Sequence, residues 1–285
     1  FRGVYDQTGG LDGYVSLEIN PLLAAKVEEQ EAEGVRLFQK VNRPNVMIKV
    51  PSTEQGFAVI EKLIARGINV NATLIFSLQQ YEHIAKAYVS GLTHLKAAGR
   101  PLDRVHSVAS VFVSRIDTLI DERLNGLIAN EADPARKQLA CKLRGVAAVA
   151  NSRIIFEAAE SFFTADDFCR LQAAGGNRQR VLWGSTSTKN PDYSDIKYVT
   201  ELIAKPTVNT VPEQTLVAFL DHGTVAEAFS AEASSARAHI AQLAQLGIDL
   251  DVVNKKLLAD GCAAFDAAFE DLLKSIEIKA EALAR

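Results

Sequence analysis

The stretch NVMIKVPST, residues 45–53, places a lysine inside a segment that otherwise has the composition of a buried strand. The apolar run around Lys49 consists of Val46, Met47, Ile48 and Val50. Prolines bracket the run and interrupt regular strand pairing at its ends. An ordinary surface lysine would not be placed there, so Lys49 is the first candidate for a functional residue.

Similar short strand-like runs recur along the chain, and each is followed by a segment with helical periodicity. The six strand candidates are YVSLEI (14–19), VMIKV (46–50), INVNATLIF (68–76), SVASVFVS (107–114), RVLWGSTS (180–187) and PTVNTV (206–211). Strands that alternate with helices of this length predict an α/β protein with a parallel sheet and right-handed crossovers. With no evident linker, residues 1–285 are expected to form a single domain.

Polar residues stand at or near the carboxyl ends of most of these strands. In an open sheet they would be awkward, but in a β/α barrel the carboxyl ends of the strands meet at one active-site rim. The barrel therefore explains the lysine of the opening segment. The residues that it would gather are Glu18, Lys49, Asn71, Thr73, Ser110, Arg115, Ser185, Asn209 and Thr210.

Composition and charge narrow the class of partner. The net charge of −4 provides no basic excess for nucleic acid or anionic lipid, so neither nucleic acid nor a membrane is an expected partner. A small-molecule substrate is the better expectation. The three scattered cysteines and the absence of a signal-peptide pattern at the start indicate a cytoplasmic protein.

A lysine amine among apolar neighbours loses hydration of its charged form, which makes more of the free amine available. The free amine attacks a carbonyl to give a Schiff base, and the iminium then serves as an electron sink for making or breaking a carbon–carbon bond. Glu18, Asn71 and Thr73, on the flanking strands, are of the right types to assist proton transfer. The alternative interpretation is that Lys49 only extends from a strand end to pair with a carboxylate such as Glu18.

A phosphate site is indicated by two further segments. Arg115 offers a fork that suits phosphate oxygens, and the run Ser185 to Thr188 supplies hydroxyls beside Lys189. A run of serine and threonine before Asn-Pro is equally typical of a simple turn. The histidines share no ligand spacing, so no metal site is predicted.

The motifs MIKVPSTEQG, GINVNATLIFS, SVASVFVSRIDTLID, LWGSTSTKNPDYSD and TVNTVPEQTLVAFLDHG together resemble transaldolase, specifically its longer bacterial branch. The resemblance covers essentially the whole chain. It implies a (β/α)8 TIM barrel and the transfer of a dihydroxyacetone unit from a ketose phosphate, sedoheptulose 7-phosphate or fructose 6-phosphate, to an aldose phosphate in the pentose phosphate pathway. It implies no metal and no organic cofactor, and members of the family often form homodimers.

The resemblance also implies roles for single residues. Lys49 matches the Schiff-base lysine, and Glu18 and Thr73 match the pair that positions a catalytic water for proton transfer. The residues that match substrate-binding positions are Asn71, which binds substrate hydroxyls, Ser110 and Phe112, which border the substrate, and Arg115 and Ser185, which contact phosphate. Lys189 matches a phosphate-binding position more loosely, because many relatives carry an arginine in a shorter loop there.

Only about six of the family's eight strands are found. The family's first two strands, which carry an aspartate used in carbon–carbon cleavage and a substrate-binding asparagine, are expected before YDQTGG (5–10). The chain is therefore expected to be the C-terminal part of a longer polypeptide and to have little transaldolase activity alone. Two alternatives stay open: an aldolase of the same superfamily that releases dihydroxyacetone, and a non-catalytic barrel fragment that binds sugar phosphate.

Overall fold

The computed structural model describes residues 1–229 and 232–283. Its strands are β1 (Val15–Glu18), β2 (Val46–Pro51), β3 (Val70–Ile75), β4 (Ser107–Phe112), β5 (Arg180–Gly184) and β6 (Thr207–Asn209). Its α-helices are α1 (Arg2–Gln7), α2 (Val27–Val41), α3 (Glu54–Ala65), α4 (Leu78–Ala97), α5 (Ser114–Asn130), α6 (Pro134–Leu143), α7 (Ala147–Thr164), α8 (Asp166–Gln172), α9 (Lys197–Thr200), α10 (Glu213–His222), α11 (Ser234–Gln245) and α12 (Leu250–Leu283). A short 3-10 helix, Pro21–Leu23, follows β1.

The strands form one parallel sheet whose spatial order is the chain order, β1 to β6. Helices connect consecutive strands, which is the arrangement of a β/α barrel. The predicted α/β class and all six predicted strands are confirmed. In the parts of the chain that the structure describes, β1 and β6 each pair on one side only.

The strands differ in burial according to their place in the sheet. Every residue of β3 is buried, and β2 and β4 are nearly so, whereas β1 is mostly exposed and Val15 keeps 44% of its surface accessible. Parallel strands that are buried on both faces, by helices on one side and by the interior side chains of the sheet on the other, have nearly continuous apolar sequences. This burial explains why the apolar run around Lys49 was so clear in the sequence.

Helix α4 shows how local sequence fixes one connection. Ser77 accepts a hydrogen bond from the backbone of Gln80 at 3.1 Å, and the Gln80 side chain accepts one from the backbone of Ser77 at 3.1 Å, which forms a capping box. The Gln80 amide also donates to the carbonyls of Ser52 and Leu74. The capping box therefore ties the start of α4 to the carboxyl ends of β2 and β3.

Along each strand, successive side chains point to opposite faces of the sheet, so every second residue faces the interior. The register places Glu18 beside Lys49 and Lys49 beside Asn71, so three neighbouring strands present polar side chains at one level. The layer nearer the amino ends of the strands is apolar and contains Met47, Val108 and Leu182. No helix among the described residues is long and apolar enough to cross a bilayer.

Candidate active site

Lys49 is near the end of β2, where its side chain keeps 22% of its surface accessible. Its Nζ donates a hydrogen bond to Oε1 of Glu18 at 2.7 Å, across the β1–β2 pair. The pairing that the alternative interpretation expected is therefore present. It does not exclude the catalytic role, because a carboxylate at this distance can also exchange protons with the amine.

The Lys49–Glu18 pair borders a small cavity of about 30 Å³. Thr73, in the carboxyl half of β3, lines the same cavity and is 2% exposed. In residues 1–229 and 232–283 its Oγ1 finds no hydrogen-bond partner. A buried hydroxyl that stays unsatisfied costs about 1–3 kcal/mol, so the Thr73 hydroxyl has capacity for a further hydrogen bond.

Asn71 sits between two serines inside the sheet. Its Oδ1 accepts a 2.6 Å hydrogen bond from Ser110, and its Nδ2 donates to Ser16 at 2.9 Å. An amide oxygen has a second lone pair and an amide nitrogen a second proton, so Asn71 keeps capacity for substrate hydroxyls. Sequence reasoning missed Ser16, although it stands two residues before Glu18 on the same strand face and period two could have identified it.

Phe112 and Arg115 form a second group, at the end of β4 and the start of α5. The Arg115 guanidinium lies over the Phe112 ring at 5.4 Å, and Phe112 packs edge-on against Phe76. Val113, the residue before α5, gives the helix no side-chain cap. Backbone carbonyls accept from the amides of Ser114 and Ile116 in this first turn, so the group of this site that suits a phosphate is the Arg115 guanidinium.

Ser185 joins this second group, whereas Lys189 does not. The Ser185 hydroxyl is 3.1 Å from the Ser114 hydroxyl, and the Ser114 amide donates to the Ser185 carbonyl at 2.9 Å. The backbone of Ser185 is left-handed, with φ of 53°, which marks a constrained turn after β5. Lys189 is exposed and lines a separate cleft together with Asp117 and other acidic and tyrosine side chains.

Buried carboxylates hold the segment that carries Ser185 and Lys189. Asp117 accepts hydrogen bonds from the Tyr198 hydroxyl at 2.8 Å and from the Ala148 amide at 2.7 Å, and Asp121 accepts from the Tyr193 hydroxyl at 2.7 Å. Burial raises the pKa of Asp117 to about 6. These contacts fasten the β5–β6 connection to α5, which fixes the position of Ser185 relative to Arg115.

The structure adds one element that the sequence predictions did not include. Helix α12 brings Cys262, Phe265 and Asp266 to the cavity of Lys49. The remaining members of that cavity are Ile19, Pro21, Ala24, Pro51 and Leu74. A helix more than two hundred residues beyond Lys49 carries no sequence signal for this contact.

Comparison with known proteins agrees with the geometry. The family model for transaldolase/fructose-6-phosphate aldolase matches residues 3–276. Transaldolase 2 of Streptomyces coelicolor is 45% identical over 99% of this chain and 74% of its own length. Transaldolases of Saccharopolyspora erythraea and Mycolicibacterium smegmatis are each 43% identical, over 97% and 96% of this chain and 72% of their own lengths.

A match over nearly the whole chain, at this level of identity, confirms the predicted enzyme class and the transaldolase function that the motifs indicated. The chain belongs to the transaldolase/fructose-6-phosphate aldolase family, whose transaldolase members are transferases.

Proposed function

We propose that Lys49 carries the transaldolase reaction as a Schiff base with a ketose phosphate. The Lys49 amine adds to the ketose carbonyl, and loss of water from the carbinolamine gives an iminium. Loss of the proton from the β-hydroxyl and cleavage of the bond between the α and β carbons of the iminium release an aldose phosphate and leave an enamine on the lysine. The enamine carbon then attacks the aldehyde of an aldose phosphate, and hydrolysis releases the new ketose phosphate. The observation that carries this proposal is the closed group of Lys49, Glu18 and Thr73 around one small cavity.

Glu18 and Thr73 are the proton-handling pair. Glu18 is 2.7 Å from the amine and can accept its proton before attack. Thr73 lines the same cavity, whose volume suits one or two water molecules. The water lost from the carbinolamine would therefore be held between a carboxylate and a hydroxyl, where it can pass protons in both directions.

The second group binds the phosphate end of the substrate. Arg115, in the first turn of α5, supplies a planar fork for two phosphate oxygens. Ser185 adds a hydroxyl. Asn71 and Ser110, which lie between the two groups in the sheet, are assigned to the sugar hydroxyls. Sugar phosphates are therefore the proposed substrates and the dihydroxyacetone unit the transferred group.

The setting of the enzyme follows from the same reasoning. The three cysteines carry free thiols, which fits a reducing cytoplasm. A place in the pentose phosphate pathway is proposed on the transaldolase resemblance. A homodimer is the proposed assembly, on the family resemblance alone. Sedimentation of the purified protein at several concentrations tests it.

Trapping tests the Schiff base. The protein is incubated with fructose 6-phosphate and borohydride, digested, and mapped by mass spectrometry. A borohydride-dependent adduct on the peptide that contains Lys49 supports the proposal. No adduct, from protein that is folded by circular dichroism and binds fructose 6-phosphate, would leave only the sugar-phosphate-binding alternative.

An aldolase reaction is the second candidate, because the matching family model also includes fructose-6-phosphate aldolase. The two activities differ in whether the enamine attacks an acceptor aldehyde or is protonated and hydrolysed by water. Release of dihydroxyacetone from fructose 6-phosphate without any acceptor favours the aldolase. Product that forms only when erythrose 4-phosphate is added favours transaldolase.

A further inference from the structure

Helix α12 is built into the lysine site. Its residues Gly261, Cys262, Phe265 and Asp266 are buried or half-buried, whereas residues 270–283 are exposed. Cys262, Phe265 and Asp266 line the cavity that holds Lys49. The helix therefore contributes side chains to the reacting centre and does more than cover the outside of the barrel.

Two unusual residues fix where α12 contacts the strands. Gly261 lies against Leu74, and a Cβ on Gly261 would stand 3.0 Å from Leu74 Cδ2, closer than most real contacts. Leu74 is 1% exposed and left-handed, with φ of 59°, at a register shift in β3. A bulky residue in this region of backbone space is strained, and such strain persists only where the surroundings hold it. The contact places Phe265, one helical turn after Gly261, at the cavity.

The Phe265 ring lies over the amine of Lys49. Nζ is 5.2 Å from the ring centroid, while Glu18 holds the same atom from the side of β1. The face of an aromatic ring attracts a cation. The lysine ammonium and the protonated Schiff base are cations, whereas the free amine and the carbinolamine are neutral. The ring therefore favours the two charged forms over the neutral ones.

We propose that Phe265 is a positioning residue for the Schiff base of Lys49, holding the charged nitrogen against Glu18 and stabilising the iminium. This inference rests on the proposed Schiff base. The titratable groups that face the lysine are Glu18 from β1 and, on α12, Asp266 and Cys262 of the same cavity; β3 adds the uncharged Thr73 and Leu74. A ring that acted only as packing would be replaceable by any side chain of similar size.

The test compares variants by borohydride trapping with fructose 6-phosphate, followed from pH 6 to pH 10. Phe265→Leu is expected to lower the trapping rate about threefold to tenfold, and to move its half-maximum to lower pH by about half a unit. Phe265→Tyr keeps an aromatic face and is expected to restore both values. Phe269→Leu is the matched control, because Phe269 is one turn further along α12 and outside the cavity lining; it is expected to behave as wild type.

Fluorinated phenylalanines at position 265 separate charge attraction from packing. One, two or three ring fluorines progressively weaken the negative ring face with little change in size, so the trapping rate is expected to fall stepwise. This series decides the matter even if Phe265→Leu unfolds the protein. Equal rates across the series would overturn the proposed role of Phe265. Absence of any adduct in the wild type would instead contradict the Schiff base, so the two failures are distinguishable.

Discussion

The lysine side of the site, around Lys49, and the arginine side, around Arg115, differ in whether the protein supplies a carboxylate partner for the cation. On the lysine side, Glu18 pairs with Lys49 at 2.7 Å and the Phe265 ring covers the amine. On the arginine side, Arg115 lies over Phe112, and the parts of the chain that the structure describes offer it no ion-pair partner. A lysine beside a carboxylate has a base that can take its proton, which attack by the free amine requires, whereas a guanidinium without a carboxylate is available to an anionic substrate. This difference supports the proposal that the lysine side reacts and the arginine side binds.

Lys49→Arg is the strongest test of the reacting side. Arginine keeps the positive charge beside Glu18, so the ion pair and the fold are expected to survive, but a guanidinium does not form a Schiff base. We expect trapping to fall by about a thousandfold or more. Thermal unfolding measured beside wild type checks that the fold is intact. An adduct that persists in this variant would place the Schiff base on another lysine.

Thr73→Val tests whether the unsatisfied hydroxyl serves the reaction. Valine has nearly the same shape, and Thr73 Oγ1 makes no hydrogen bond within the described residues, so stability is expected to stay equal or to rise by about 1 kcal/mol. The trapping rate is expected to fall by about a hundredfold, because a proton relay loses one member.

The opposite signs of these two effects are the informative part. Thr118→Val, on α5 outside the lysine cavity, is the control, and its trapping rate is expected to match wild type. Lower stability together with unchanged trapping in Thr73→Val would make Thr73 a structural residue only.

Asp117→Asn probes the support beneath the arginine side. Burial raises the pKa of Asp117 to about 6, above the value of about 4 in an unfolded chain. Between these values the folded state binds the extra proton, so this group favours folding most below pH 4 and the contribution is lost as pH rises through 6. Its size is on the order of 3 kcal/mol.

The measurement is the unfolding free energy in urea at pH 4.5 and at pH 7.5. Asp117→Asn is expected to lose less stability than wild type between these two conditions. Asp271→Asn, on the exposed part of α12, is the control and should follow wild type. Parallel behaviour of wild type and Asp117→Asn would show that Asp117 does not titrate in this range.

Much of the site could be predicted, because the sequence of a buried strand shows both the two-residue alternation of its side chains and its apolar surroundings. The lysine stood out at once, since a charged residue in a buried apolar run is exceptional, and the parallel register then brought Glu18, Lys49 and Asn71 to one level. The position of the arginine side was also predictable, because Arg115 follows β4 closely in the sequence and must therefore lie near the carboxyl end of that strand.

The contribution of α12 could not be predicted, because it depends on where a distant helix crosses the strand ends. Nothing in the local sequence of Gly261 or Phe265 specifies Leu74 or Lys49 as a neighbour. The separation of Lys189 from the other candidate site residues has a similar cause. Hydrogen bonds from Tyr198 and Tyr193 to Asp117 and Asp121 set the path of the β5–β6 connection, and both aspartates are on α5, a different segment of the chain. Long-range packing decides such cases.

Arg115→Lys tests the binding side with a smaller effect. Lysine keeps the charge but loses the bidentate fork, so the fructose 6-phosphate concentration for half-maximal trapping is expected to rise about tenfold. The maximal trapping rate should change little. With unphosphorylated fructose, which lacks the group that Arg115 is proposed to bind, wild type and variant should agree. A loss of maximal rate with unchanged half-maximal concentration would move Arg115 to the reacting side.

Lys189→Met should have the smallest effect, and it decides whether the arginine side contains a second phosphate cation. Lys189 is exposed in a cleft lined by Asp117, Asp121 and Glu122, where solvent screens its charge and the carboxylates compete with phosphate. We expect the half-maximal fructose 6-phosphate concentration to change less than about twofold, at both low and high salt. A tenfold rise that shrinks with added salt would mean that the loop brings Lys189 to the substrate, so that binding is shared between two cations and Arg115 acts with a partner after all.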